Sequence, residues 1–146
     1  VRAVVQRVRG ARVSVAGTTA SSIARGLCVL LGVAADDGEE EARRLARRVA
    51  NLRIFENEAG RFDRSVLDVG GAVLVVSQFT LVAETAKGNR PSFSKAAAPG
   101  PAERLYGRFC ENLVEEGVSE VERGVFGARM LVEIENDGPV TIVLDT

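Results

Sequence analysis

The chain has 146 residues, 46% of them hydrophobic and 27% charged, so it can bury a core and does not read as disordered. Its formal net charge of −1 excludes a protein that coats long nucleic acid through many phosphate contacts, although not one that grips a single RNA end. The sequence holds no histidine, which excludes a His-dependent catalytic triad and a His-containing zinc site.

In chain order, residues 1 to 8 and 11 to 16 alternate apolar and polar positions around Gly10, predicting two short strands joined by a turn. No long apolar signal core occupies this end, and the runs Leu27 to Ala35 and Ala72 to Val76 fall far short of the roughly 20 residues a membrane span needs. The expected location is therefore the cytoplasm, away from any membrane. Ile23 to Val33 is predicted as a third strand, central because Leu27 to Leu31 is apolar on both faces. Cys28 in this run and Cys110 further on fit a reducing compartment and read as small buried hydrophobes.

From Asp36 the pattern turns helical. Asp36 or Asp37 can cap the helix, Glu39 to Glu41 suit its positive end, and Ala42, Leu45, Ala46, Val49 and Ala50 share one face. Arg43, Arg44, Arg47 and Arg48 fill the outer face and read as solvated surface rather than an RNA patch, because glutamates partly cancel them. Leu52 to Phe55 follows as a short extended segment, then the turn-rich Glu56 to Gly60, then Val73 to Leu81 as the strongest strand. The loop from Ala83 to Pro101 is long enough to be either functional or mobile. Pro101 opens a second helix with an apolar stripe of Leu105, Phe109, Leu113 and Val114, which Gly117 ends. Strands at Ala128 to Ile134 and Val140 to Leu144 flank Asn136-Asp137-Gly138-Pro139, a turn by composition. Strands outnumber helices and most connections are short. The predicted fold is thus α+β, a mostly antiparallel curled sheet or barrel with two packed helices, forming one domain over residues 1–146.

The chain has no Walker loop, no strand leading into a Gly-x-Gly-x-x-Gly helix start and no paired-cysteine spacing, so neither ATP, NAD nor zinc is expected. Three segments could carry chemistry. In Ser77-Gln78-Phe79-Thr80-Leu81 a buried-type strand suddenly acquires three hydrogen-bonding side chains; this is either a half-exposed strand end or a site. Ser77 and Thr80 can act together only if the strand bulges or stops near Gln78. In Gly138-Pro139-Val140-Thr141 the glycine permits unusual dihedrals and the X-Pro bond can be cis, so carbonyls can be displayed in directions an ordinary turn does not allow. Arg90 and Lys95 flank Pro91-Ser92-Phe93, cations beside an aromatic, a mixture suited to a nucleic-acid backbone and a stacked base.

Together these pieces resemble the D-aminoacyl-tRNA deacylase family along essentially the full chain: Gln6-Arg7-Val8, Ser77-Gln78-Phe79-Thr80-Leu81, Arg90-Pro91-Ser92-Phe93-Ser94-Lys95 and Asn136-Asp137-Gly138-Pro139-Val140-Thr141. The resemblance implies hydrolysis of the ester of D-aminoacyl-tRNA, without metal or cofactor. It further implies a homodimer with shared active sites, in which a cis Gly138-Pro139 from one subunit enters the partner's pocket as a chiral filter. Ser77, Gln78, Phe79 and Thr80 would line the catalytic pocket around the aminoacyl-tRNA 3′ end. Arg7 would hold the Gly-Pro segment; Arg90, Ser92, Phe93, Val140 and Thr141 would support it or bind substrate. Phe126 and Met130 read either as pocket walls or as core. L-substrates would be excluded sterically, whereas glycyl-tRNA, including that mischarged on alanine tRNA, would pass. Two chemistries suit a chain without histidine: Thr80 as nucleophile, or the RNA's own 2′-hydroxyl assisting water. The second is favoured, because no base adjoins Thr80 in the sequence. The rival readings are a binding module that holds the RNA end without cleaving it, and a dimer whose cleft serves another small ester.

Overall fold

In the computed structural model, which describes all 146 residues, Gly10 does not turn the chain. Strand β1 (Arg2–Val15) runs through it as one long strand. Its first half pairs antiparallel with β3 (Gly26–Gly32) and its second half with β2 (Thr18–Ile23), so two short neighbours share one edge. A side chain at position 10 would lie 3.1 Å from the Glu135 carboxylate and 3.4 Å from the Ile23 carbonyl. The glycine thus permits close approach of neighbouring strands, not reversal. Reversal occurs at Ala16-Gly17, both at positive φ (51° and 81°), the backbone of a tight hairpin turn. The expected Ile23 to Val33 strand is therefore the end of β2, a bend at Ala24-Arg25, and β3. β2 carries threonines and serines on an exposed edge, which leaves no apolar alternation to detect.

After β3 come α1 (Glu39–Asn51), a small hairpin of β4 (Phe55–Glu56) and β5 (Phe62–Arg64), the single-turn α2 (Val66–Val69), and β6 (Ala72–Ser77). α3 (Pro99–Glu115), β7 (Val121–Arg123) and β8 (Leu131–Asp145) complete the chain. The main sheet runs β2-β1-β3-β6-β7, with β8 along the other edge of β1. Every pairing of β1 is antiparallel, whereas β6 is parallel to both β3 and β7, because helical crossovers connect them. The sheet curls until its ends approach: Ser21 Oγ donates to the Arg123 carbonyl at 2.7 Å. The result is the expected α+β, barrel-like and mostly antiparallel architecture.

Helix α1 buries Ala42, Leu45, Ala46, Val49 and Ala50, as the spacing predicts. Its cap is Gly38, whose N–H donates to Glu41 at 3.3 Å; Asp37 instead accepts from the Ala34 N–H at 2.8 Å. α3 packs beside α1 with Leu105, Phe109 and Leu113 inside, but Val114 is 57% exposed, its expected place taken by Tyr106 and Cys110. The larger core lies between sheet and helices. The opposite face of the sheet carries Val8, Val13, Cys28, Leu74 and Val76, only partly covered by Met130, Val132 and Ile134.

The predicted turn at residues 136 to 139 is absent, since β8 is continuous in its pairing with β1. Thr141 pairs with Gln6 and Asn136 with Val8, so Asp137, Gly138, Pro139 and Val140 all face Arg7 alone. Turn-forming residues suit a projecting bulge as well as a hairpin, and long-range pairing decides between them.

Candidate functional site

Strand β6 ends at Ser77, not at Leu81. Gln78 makes the last ladder bond, its N–H donating to the Leu31 carbonyl at 2.8 Å, and Phe79–Val82 then winds into a 3-10 turn. Opposite the break is Gly32, where a side chain would meet Leu81 Cβ at 3.0 Å and the Gln78 carbonyl at 3.1 Å. The bare backbone of Gly32 lets the turn fold over β3, and the strand stops where a joint role for Ser77 and Thr80 requires it to stop.

Within this turn Gln78 Nε2 donates to Thr80 Oγ1. An amide is no base whichever end faces the hydroxyl, so this contact does not activate Thr80. Phe79 is 55% exposed and meets Phe93 edge to face at 5.1 Å between centroids. Arg2 Nη1 donates to the Leu81 carbonyl at 2.9 Å, holding the end of the turn.

Phe93 arrives from a loop stitched at two places. Glu84 and Ser92 exchange backbone bonds at 2.8 and 2.9 Å, and Lys95 and Ala97 bond back to Ala35 and Val33. Lys95 pairs with Glu84 at 2.6 Å and holds that carboxyl below its ordinary range. Lys95 is thereby committed within the loop, whereas Arg90 is exposed and makes no ion pair. The Ser92 hydroxyl faces that of Ser94 at 3.3 Å and serves the loop itself.

The second locus is the bulge of β8. Gly138-Pro139 is exposed, its peptide bond is cis, and Gly138 has φ 128°. Arg7, 6% exposed, reaches it from beneath. Arg7 Nε donates to the Asp137 carbonyl at 3.1 Å, Nη1 to the Ile54 carbonyl at 2.8 Å, and Nη2 to Glu56 at 3.4 Å, while its guanidinium lies 5.7 Å from the Phe62 ring centroid. A buried guanidinium must fill its donors, and Arg7 fills them by tying the bulge to β4. From above, Asn136 Oδ1 accepts from the Val140 N–H and Nδ2 donates to Thr141 Oγ1, both at 2.9 Å. Neither Asn136 nor Gly32 was among the expected site residues; a glycine ending an apolar run was the available signal for the latter.

The two loci are apart within one chain. Arg7 pairs with Leu27 and Leu27 with Val73, so the bulge lies three strands across from β6, and Ser77 is four residues further along. At about 4.8 Å per strand and 3.3 Å per residue, that is on the order of 20 Å of sheet. Phe126 and Met130 lie apart as well. Phe126 packs on Tyr106 at 5.9 Å against the larger core, while Met130 lies over Gly124 on the opposite face, its Sδ accepting from the Val125 N–H at 3.4 Å. A surface concavity of about 680 Å³ runs between the β1–β2 hairpin and the start of β8 and touches the expected residues only at Met130. No three carboxylate or cysteine side chains converge as a metal site would need.

Comparison with known proteins shows the family. The family model described as D-Tyr-tRNA(Tyr) deacylase matches residues 4–145. A D-aminoacyl-tRNA deacylase of Anaeromyxobacter dehalogenans is 58% identical over 145 residues, covering 99% of this chain and 97% of the relative. One of Deinococcus deserti is 56% identical over 144 residues, with 99% and 98% covered. A solved structure described as a c-Myc DNA unwinding element binding protein superposes with a TM-score of 0.95 at 44% identity, covering 100% of this chain and 99% of that one. A probable eukaryotic D-amino acid tRNA deacylase shares the fold, with a TM-score of 0.87 at 21% identity over 99% of this chain and 98% of that one. A polar turn closing β6, an aromatic pair beside it and an anchored Gly-Pro bulge thus belong to a chain that is a member of the D-Tyr-tRNA(Tyr) deacylase family of ester hydrolases.

Proposed function

We propose that this protein, acting as one domain, hydrolyses the ester of D-aminoacyl-tRNA and rejects L-aminoacyl-tRNA, working as a homodimer whose sites each combine residues of both subunits. The observation that carries this reading is the separation of the two loci. A polar turn and a projecting bulge about 20 Å apart along one sheet can serve one site if the bulge of one copy meets the turn of a second. The edge of β8 supports such pairing: it bonds only to β1, and Leu131 and Val143 on it are 63% and 62% exposed. Exposed strands of this length are normally covered or paired.

In this reading Ser77, Gln78, Phe79 and Thr80 surround the terminal adenosine and its ester. Phe79 and Phe93 offer an aromatic face to the base, and Arg90, free of any carboxylate, faces the RNA backbone. The first N–H groups of the 3-10 turn have no partner within it and are available to a developing oxyanion. An activated aminoacyl ester presents a modest barrier, so orientation and such donors suffice without a protein nucleophile. The vicinal 2′-hydroxyl of the RNA then assists the attacking water. The partner's Gly138 and Pro139 carbonyls bind the substrate ammonium and occupy the space an L side chain needs. Glycine passes this filter, making glycyl-tRNA on alanine tRNA a second substrate. No helix is long and apolar enough to cross a membrane; separately, a substrate used in translation supports a cytoplasmic location.

The test of the shared, RNA-assisted site uses two substrates and one mixture. D-aminoacyl-tRNA ending in 2′-deoxyadenosine, charged at the 3′ position, should be cleaved at least about a hundredfold more slowly than the ribose form. Equal rates refute RNA assistance. In the mixture, a Gly138→Ala subunit and a subunit altered in the Phe79–Thr80 turn should regain activity, because one of the two composite sites is then intact. Absence of recovery in a verified mixed dimer contradicts shared sites, and cleavage by a monomer removes the need for a dimer.

A further inference from the structure

We propose that Asn136 is a positioning residue for the reaction, a clasp that sets the direction in which the Gly138 and Pro139 carbonyls project; this rests on the filter role given to those carbonyls above. Four residues of β8, Asp137 to Val140, stand against Arg7 alone, so the regular ladder does not hold them in place. The segment enters at Asp137, whose carbonyl Arg7 fixes, and it leaves at Val140, whose N–H is taken by Asn136 Oδ1 at 2.9 Å. Arg7 therefore secures one end of the projection and Asn136 the other. Without the second bond, the Pro139–Val140 peptide is free to rotate while Arg7 still holds Asp137.

The other half of the same amide explains why asparagine stands here. Asn136 Nδ2 donates to Thr141 Oγ1 at 2.9 Å, and Gln6 Nε2 approaches the same oxygen at 3.4 Å. One side chain thus supplies an acceptor and a donor to successive residues, which an aspartate cannot do when ionised. Because Thr141 accepts from two amides, its own hydroxyl hydrogen is left to donate outward, beside the exposed Gly138-Pro139. The acceptor half, on the Val140 N–H, is the clasp that sets the aim of the carbonyls; the donor half sets only the polarity of the hydroxyl next to them.

The test compares wild type, Asn136→Ala and Asn136→Asp as full-length proteins, with Gly138→Ala as a reference, on D-tyrosyl-tRNA and L-tyrosyl-tRNA. Asn136→Ala should lower kcat/KM for the D-ester about ten- to a hundredfold, the cost of a misplacement near 1 Å, and should reduce D-over-L discrimination about tenfold. Loss of folded protein would scale both esters equally and leave their ratio unchanged, so the ratio separates positioning from stability. Asn136→Asp keeps the acceptor for Val140, and Thr141 can turn to donate to it; discrimination should stay within about threefold of wild type. Native-state hydrogen exchange should show the Val140 amide of Asn136→Ala opening at least about tenfold faster, with Val5 in β1 unaffected. Wild-type discrimination in Asn136→Ala, or equal loss in Asn136→Asp, overturns the clasp. If wild type itself cleaves both esters alike, the filter reading fails instead. If wild type discriminates and Gly138→Ala does not while Asn136→Ala does, the filter stands and only the clasp is wrong.

Discussion

Replacing Arg7 with methionine removes the guanidinium while keeping an unbranched stem in its channel. Two of its bonds are in protected surroundings: that to the Ile54 carbonyl at 2.8 Å is buried and that to the Asp137 carbonyl at 3.1 Å is partly buried. Charge-assisted bonds contribute about 1.5–3 kcal/mol each, so their joint loss costs roughly 3–6 kcal/mol. The half-exposed Glu56 contact at 3.4 Å adds little, because solvent screens it. Burying an apolar methionine instead of a charge returns roughly 1–2 kcal/mol. The net expectation is about 2–4 kcal/mol of destabilisation, read as the shift of a urea midpoint at unchanged slope. Glu56→Gln, by contrast, should cost under about 1 kcal/mol. Because Arg7 anchors Asp137, activity on D-aminoacyl-tRNA should fall in the fraction of Arg7→Met that remains folded. A cost below about 1 kcal/mol with full activity would refute Arg7 as anchor of the bulge.

Further outcomes follow from other parts of the molecule. Thr80→Ala should retain kcat within about tenfold of wild type, since no base adjoins the hydroxyl, whereas loss of a true nucleophile costs several orders of magnitude. Ala16 occupies φ 51° in the β1–β2 turn, a conformation costing a side-chain-bearing residue about 1 kcal/mol, so Ala16→Asn should stabilise by about 0.5–1 kcal/mol in chemical denaturation. No gain would mean that the turn is not strained. Burial pushes the Cys28 and Cys110 thiols up to about 11 from 9.0. Both stay protonated in the folded chain while the unfolded chain ionises, so stability should be complete below pH 9 and decline as the pH rises toward 11. At pH 8 a thiol reagent should label the unfolded chain at least about a hundredfold faster than the folded one; equal rates would place the thiols at the surface.

What could be read in the sequence depended on how local its cause was. The α1 face from Ala42 to Ala50 was legible because helical burial repeats within the helix itself. The strand end at Ser77 was legible as a condition, that the chain must bend near Gln78, but the cause sits far earlier in the chain at Gly32, which touches the turn only after folding. Gly10 and Asn136-Asp137-Gly138-Pro139 both carried turn signals, and both lie inside long paired strands, because β1 and β8 align over nearly their whole length. A local signal for flexibility was read correctly as a break in regular geometry and wrongly as a reversal of direction. β2 escaped notice because an exposed edge strand of threonine and serine needs no apolar alternation. At the candidate site, the joint resemblance of separate segments to one family pointed to Gly138-Pro139, Phe79, Thr80 and Phe93. The contacts that fix them, the Asn136 amide on Val140 and the Phe93 ring on Phe79, arise only when strand register and loop stitching bring these residues near.

Deacylation of matched D-tyrosyl-tRNA and L-tyrosyl-tRNA by the purified protein, in the presence of a chelator, tests the central claim most directly. Rapid release of D-tyrosine with the L-ester left intact is the predicted result, joining the activity, the chiral filter and the independence of a metal in one assay. Binding of the D-ester without cleavage by folded protein would contradict the account and make this chain a holder of RNA ends, while cleavage of both esters would remove the filter from Gly138 and Pro139.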